Sequence, residues 1–146
     1  SIPYSRFQPA FSRDALAAVL VPPSIRYVYM GDLLGGRPND PDCYRADGTV
    51  DYDRCRSKAF FQRGLERLLT AHRKGMRVCL LCAEGKPGSC HRTKLIGRAL
   101  QDHGISIDHV LPDGSVRAQA DVIAEALGPQ GDLFGAPVTA RKARPG

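Results

Sequence analysis

The 146-residue chain lacks several features that would place it in a specialised class of protein. No apolar run approaches the roughly 20 residues that a membrane-spanning helix needs, and no basic start with an apolar centre marks a secretory signal peptide. No internal repeat is present. The length therefore fits one ordinary domain with its own hydrophobic core, and we expect no membrane partner.

The cysteine content argues against a secreted fold that disulfides hold together. The five cysteines are an odd number in a chain that is not small, and Cys79 and Cys82 lie in or at the end of an apolar segment. Small secreted domains instead carry an even set of paired cysteines. We therefore predict a reducing, cytoplasmic environment.

Acidic residues are the scarcer charge, with 15 against 21 Lys and Arg, which gives a net charge of +6. This balance favours contact with polyanions, so a nucleotide or nucleic acid is the candidate partner. Part of the excess lies in the C-terminal segment TARKARPG, within a Gly- and Pro-rich stretch. We predict a single domain over residues 1–127 and a flexible, basic tail over residues 128–146.

Apolar, β-branched segments alternate with helical patterns along the domain. Residues 25–30, 76–81 and 105–111 are predicted as strands, and residues 11–20, 54–74, 93–103 and 117–127 as helices. Such alternation is typical of a parallel sheet with helices on both faces. We therefore predict an α/β domain, a three-layer sandwich with a mainly parallel sheet. Ligands of such sheets bind at the carboxyl ends of the strands, where Cys82 lies.

The segment CAEGKPGSCHR, residues 82–92, concentrates reactive side chains where a predicted strand meets a helix. A helix start presents unpaired N–H groups and a partial positive charge, which lower the pKa of a nearby thiol and attract anions. A thiolate–imidazole pair and a proton-transferring carboxylate are also available here. We predict catalytic roles for Cys82, Glu84, Cys90 and His91.

Arg92 lies in the first turn of that helix, where the helix dipole disfavours a cation. This placement predicts that Arg92 holds a phosphate or carboxylate ligand. The alternative is that Arg92 pairs with Glu84 and only pins the loop. In that rival interpretation the domain is a binding module without chemistry, and its cysteines are small buried hydrophobes.

Structural zinc is a further alternative for the cysteine cluster. Cys79, Cys82, Cys90 and His91 offer four ligands of the right types. However, Cys79 and Cys82 are three residues apart in a predicted strand and so face opposite sides. We therefore predict neither a metal ligand nor a cofactor.

These residues resemble the signature of a known family. Cys82-Ala83-Glu84 followed by Cys90-His91-Arg92 resembles the C-x-E…C-H-R pattern of the family of domain of unknown function 488. Residues 25–36 resemble that family's strand followed by Leu-Gly-Gly. Residues 1–11 resemble its D-V-R-S-x-P-x-S region, and HVLPDG resembles its late strand and turn. The similarity covers roughly residues 1–127.

The resemblance implies an α/β sandwich in which these motifs surround one pocket. Ser5, Gly35 and Gly36 belong to the motifs, and Arg6 lies beside aromatic residues that could grip a base or a phosphate; all four are predicted to bind an anion or substrate. The resemblance also implies that the family's first strand, with its Asp-Val-Arg, precedes Ser1 and is absent from this chain. It implies no particular reaction.

A second motif lies in the predicted tail. Residues 130–134, QGDLF, resemble the Q-L-[SD]-L-F peptide by which bacterial replication and repair proteins dock on the sliding DNA clamp. In such a peptide, apolar side chains fill a pocket while Gln makes hydrogen bonds at its rim. Clamp docking through Gln130, Leu133 and Phe134 is therefore an alternative function, although Gly131 stands where Leu is usual; the other interpretation is that Leu133 and Phe134 pack against the surface of their own domain.

Overall fold

The computed structural model describes residues 3–128, and their regular structure is mostly helical. The helices are α1 (Arg13–Leu20), α2 (Gly31–Leu34), α3 (Tyr52–Ser57), α4 (Ala59–Arg73), α5 (Arg98–Gln101) and α6 (Gln119–Leu127). A π-helical turn, Arg92–Gly97, leads directly into α5, and short 3₁₀ turns occupy Pro9–Phe11, Pro41–Cys43 and Pro87–Ser89. The strands are β1 (Asp108–Val110) and β2 (Val116–Ala118).

The core of the described part lies between α4 and the helical run over residues 92–101. On α4 the buried residues Phe61, Leu65 and Leu68 recur at helical spacing, which explains why this segment folds as an amphipathic helix. The opposite side of the core is formed by Leu95, Ile96, Ala99 and Leu100, all buried. This core therefore holds in place the helical run that follows the CAEGKPGSCHR segment.

The single helix predicted over residues 54–74 is present as two helices. Asp51 caps α3, and its carboxylate accepts the backbone N–H groups of Asp53 and Arg54, both at 3.1 Å. The chain is extended at Lys58, and α4 begins after it. The helical prediction is therefore confirmed, with one break that the periodicity did not reveal.

The predicted three-layer sandwich with a mainly parallel sheet is wrong. Within residues 3–128 the only sheet has two strands, and β1 pairs with β2 in antiparallel fashion. The predicted strands over residues 25–30 and 76–81 form no ladder in this part of the chain. Val78 is 51% exposed and Leu81 60% exposed, so helices do not cover both faces. β-branched residues favour a strand only where cross-strand neighbours pack against them, and that condition is not met here.

The absence of a ladder predicts fast amide exchange at residues 77–81. No acceptor for the backbone N–H groups of Arg77 to Leu81 is found among residues 3–128. We expect these amides to exchange with deuterium near the rate of an unstructured peptide, whereas those between Phe61 and Leu68 exchange orders of magnitude more slowly. Hydrogen-exchange mass spectrometry measures both, and equal protection of the two segments would contradict the described backbone.

Two sequence predictions fall beyond this part of the chain. The clamp-docking residues Gln130, Leu133 and Phe134 lie outside the described residues, as does the predicted tail apart from Gly128. Within residues 3–128, no helix combines the length and the apolar character that crossing a membrane requires.

Candidate functional site

The loop between Cys82 and Cys90 folds back so that its two ends meet. The 3₁₀ turn Pro87–Ser89 reverses the chain, and the Pro87 carbonyl accepts both the Cys90 N–H at 3.0 Å and the Thr93 hydroxyl at 2.7 Å. These bonds fasten the loop to the start of the helical run. As a result, the two Sγ atoms of Cys82 and Cys90 lie only 3.0 Å apart.

Four side chains with metal-binding atoms converge at this point: Cys82, Glu84, Cys90 and His91. One ligand atom from each lies within 4.8 Å of all the others. Glu84 Oε2 is 2.9 Å from Cys82 Sγ and 3.6 Å from Cys90 Sγ. His91 Nδ1 is 3.9 Å from Cys90 Sγ and 3.6 Å from Glu84 Oε2. The structure therefore brings together all four residues to which the sequence assigned catalysis.

Backbone N–H groups point at both sulfur atoms. The N–H of Glu84 donates to Cys82 Sγ at 3.4 Å, and the N–H of Arg92 donates to Cys90 Sγ at 3.3 Å. In each case the donor is two residues after the cysteine. Hydrogen bonds of this kind stabilise the anionic form of sulfur, so the backbone is arranged for thiolates at both positions.

When no ion is bound, Cys82 and Cys90 differ in their affinity for a proton. A hydrogen bond from the Cys82 thiol lowers the pKa of Cys90, and His91 and Arg92 lower it further. The pKa of Cys82 is raised because its proton is held by Cys90, because the side chain is partly buried, and because Glu84 also accepts from it. Within the pair, the contacts with Cys82 and Arg92 therefore favour a thiolate at Cys90 over one at Cys82.

The guanidinium of Arg92 is occupied by contacts within the chain. Its Nε donates to Cys90 Sγ at 3.1 Å, one terminal nitrogen donates to the Leu80 carbonyl at 3.4 Å, and the other donates to the Glu84 carbonyl at 2.8 Å. Arg92 therefore pins the loop, which was the alternative to anion binding. It does so by donating to the Glu84 carbonyl and not to the Glu84 carboxylate.

The other residues predicted to bind an anion or substrate are divided between two places. Gly36 lies against His91, because a Cβ built at this glycine would be 2.6 Å from His91 Cγ. Gly35 is buried beside it. Ser5 instead organises the first loop, where its hydroxyl accepts the Gln8 N–H at 3.2 Å. Arg6 is exposed, and among the described residues no hydrogen bond or ion pair joins Ser5 or Arg6 to the cysteine cluster.

A cationic groove beside the site was not anticipated from the sequence. A cavity of about 800 Å³ borders the same loop on its other side. Four basic residues line it, namely Lys86, Lys94, Arg98 and Arg117. The spacing of Lys94 and Arg98, four residues apart in a predicted helix, was the one available signal. Lys86 lies in the loop before the helical run and Arg117 lies in β2, so no helical spacing connects them to Lys94 and Arg98.

Comparison with known proteins identifies a family. No curated protein and no solved structure matches the chain. Residues 1–99 match the family described as domain of unknown function DUF488. That span includes the Leu-Gly-Gly motif and the whole C-x-E…C-H-R signature, so the resemblance read from these motifs is confirmed and the chain belongs to the DUF488 family.

Proposed function

We propose that this chain binds a divalent ion of the zinc class through Cys82, Glu84, Cys90 and His91. The observation that carries the proposal is the convergence of four ligand atoms within 4.8 Å of one another. Cysteine sulfur, histidine nitrogen and carboxylate oxygen are the ligands that four-coordinate zinc takes in proteins. Glu84 replaces Cys79 in the set considered from the sequence, because Cys79 is exposed and outside the cluster.

The spacing of the ligand atoms supports a tetrahedral site. With metal–ligand bonds of about 2.0–2.3 Å, the ligand atoms of a tetrahedron lie about 3.3–3.8 Å apart. Among the separations within the cluster, Glu84 Oε2 is 2.9 Å from Cys82 Sγ, the two sulfurs are 3.0 Å apart, and His91 Nδ1 is 3.9 Å from Cys90 Sγ. The two short separations would have to lengthen by roughly 0.7–0.8 Å to reach the edge length of a zinc site, whereas the two separations of 3.6 Å already match it.

The surroundings of the two sulfurs also support metal binding. Metal ligation requires anionic sulfur, and each cysteine receives a backbone N–H that stabilises the anion. Arg92 adds a second donor to Cys90. Donors of this kind around a metal-bound ligand fix its orientation and raise the affinity for the ion.

The exposure of the four ligands suggests which of them can be displaced. Cys90 is fully buried, and the His91 side chain is 14% exposed, whereas the Glu84 side chain is 45% exposed. A water molecule or a substrate oxygen would therefore replace Glu84 first. An exchangeable fourth position is what separates a catalytic zinc ion from a structural one, and it would allow the ion to act as a Lewis acid.

Metal analysis of the purified chain tests the proposal. Under reducing conditions we expect about one zinc ion per chain, and a Co(II)-substituted sample should show thiolate-to-metal charge-transfer absorption. Cys82→Ser and Cys90→Ser should lose the ion. Cys79→Ser is the matched control, since Cys79 is a free, exposed thiol three residues from Cys82, and it should retain full metal content. Failure of the wild-type chain to take up zinc, or full zinc content in Cys90→Ser, would overturn the proposal.

A redox-active dithiol is the second candidate, and the Sγ–Sγ distance of 3.0 Å favours it. In that case an incoming low-molecular-weight disulfide would be reduced, and Cys82 and Cys90 would lose two protons and two electrons as they form a disulfide. Against this, the thiolate of Cys90 is fully buried, so an incoming disulfide meets Cys82 first. A chain that binds no metal but forms the Cys82–Cys90 disulfide in a glutathione buffer would favour the dithiol.

Gly36→Ala is expected to weaken zinc binding about 10-fold, which is the usual effect of changing a residue that holds a metal ligand in its orientation. The added Cβ would be 2.6 Å from His91 Cγ, so the imidazole must turn away from the cluster. Gly85→Ala is the control within the site loop, because its Cβ would meet no atom within 4 Å. Competition with a chromophoric chelator measures both affinities. Equal affinities in the two variants would contradict the placement of Gly36 against His91.

A further inference from the structure

The groove beside the Cys82–Glu84–Cys90–His91 cluster presents the side chains that a polyanion site requires. Its walls are the loop over residues 85–89, the helical run over residues 92–101, β2 and α6. Four basic side chains line it, namely Lys86, Lys94, Arg98 and Arg117. Apolar side chains lie between them, including Leu111, Val122 and Ile123. The groove therefore combines an apolar lining with cations from the loop, the helical run and β2.

The positive charge of this groove is not balanced within the described part of the chain. Arg117 pairs with Glu125, the one acidic residue of the lining. Lys86, Lys94 and Arg98 have no carboxylate within ion-pair distance among residues 3–128. Four cations against one carboxylate leave a charge of +3 in a cavity of about 800 Å³. Like charges held this close repel one another, and a ligand with several negative charges would relieve that repulsion.

We propose that this groove binds the phosphate backbone of a single-stranded nucleic acid. Three unbalanced cations match a run of about three consecutive phosphates. A cavity of about 800 Å³ accommodates a short segment of one strand more readily than the two strands of a duplex. Among residues 3–128 no aromatic side chain lines the groove, so these residues give bases no stacking platform and should bind without dependence on sequence. The strand would pass along the loop that carries Glu84 and Cys90, next to the proposed ion, although the groove requires no ion in order to bind.

Fluorescence anisotropy with a labelled oligothymidylate of about 15 nucleotides tests the proposal. With about three phosphates neutralised, the plot of log Kobs against log salt concentration should have a slope of about −2. Lys94→Glu with Arg98→Glu should weaken binding at least about 10-fold and flatten that slope. The neutral double variant, Lys94→Gln with Arg98→Gln, should lose less affinity in the same direction. This second variant keeps the test valid if the charge-reversed protein fails to fold.

Arg63→Glu with Arg67→Glu is the matched control. These arginines are exposed on α4, outside the groove and without an ion pair in the described part of the chain, and they have the same four-residue spacing. The net charge changes equally in both double variants, so equal losses of affinity would overturn the proposal. Competition by inorganic tripolyphosphate as strong as that of the oligonucleotide would also overturn it, since the ligand would then be a small polyphosphate. The zinc content of the groove variants should stay that of the wild type, so the two proposals fail separately.

Discussion

Removal of zinc is expected to lower the free energy of unfolding by about 4 kcal/mol, relative to the same chain with free zinc at about 1,000 times its Kd. The physical reason is that the ion would join Cys82 and Glu84, on one side of the loop, to Cys90 and His91 at the start of the helical run. Without the ion, a thiolate and a carboxylate remain close together, and the guanidinium of Arg92 is in contact with the thiolate. Urea denaturation of the zinc-loaded and chelator-treated wild-type chain measures the difference.

Two variants separate an effect of the ion from an effect of the side chain. Cys90→Ser should unfold at the same urea concentration with and without zinc, whereas Cys79→Ser should respond to zinc as the wild type does. The stabilisation by zinc should be present at neutral pH and lost as the pH falls, because protons compete with the ion for thiolate, imidazole and carboxylate. If the free energy of unfolding of the wild-type chain at neutral pH is the same with and without zinc, the expected coupling between ion and fold is contradicted.

Phe61→Ala is expected to destabilise the chain by about 3–5 kcal/mol, independently of zinc. Phe61 is completely buried in the core between α4 and the helical run. Truncation to Ala removes its apolar contacts and leaves a cavity that rigid helices cannot close. Urea denaturation with an unchanged m-value would assign the loss to the folded state rather than to a change in surface exposed on unfolding.

The neighbouring Phe60 provides a control of the same residue type on the same helix. Phe60 is only partly buried, packed at the edge of the core. Phe60→Ala should therefore cost about 1 kcal/mol, the usual loss for a point mutation. A loss from Phe60→Ala as large as that from Phe61→Ala would show that the core is not centred where the structure places it.

The helical part of the fold could be predicted because its signal is local. The spacing of Phe61, Leu65 and Leu68 fixes both the helix and the face that it buries, whatever lies opposite. The sheet could not be predicted in the same way. Strand propensity over residues 25–30 and 76–81 indicates only that the chain favours an extended form. Strand pairing depends in addition on partners that are distant in sequence. The alternation of strand and helix patterns therefore suggested a layered sheet that the described residues do not form.

The candidate site was predictable for the same reason of locality. Cys82, Glu84, Cys90 and His91 lie within ten residues, so one tight loop is enough to bring them together. What the sequence could not provide is the direction of each side chain. Arg92 could face outward to an anion or inward to the loop, and only the contacts with Cys90 and two carbonyls decide between them.

The open backbone of residues 77–81 has a consequence for the behaviour of the protein at high concentration. The N–H groups of residues 77–81, which have no acceptor among residues 3–128, together with exposed Val78 and Leu81, form a template on which another chain can add a strand. The net charge of +6 opposes such self-association, because it makes copies repel one another. Colloidal stability therefore depends on long-range repulsion, and added salt that shortens the Debye length removes that protection.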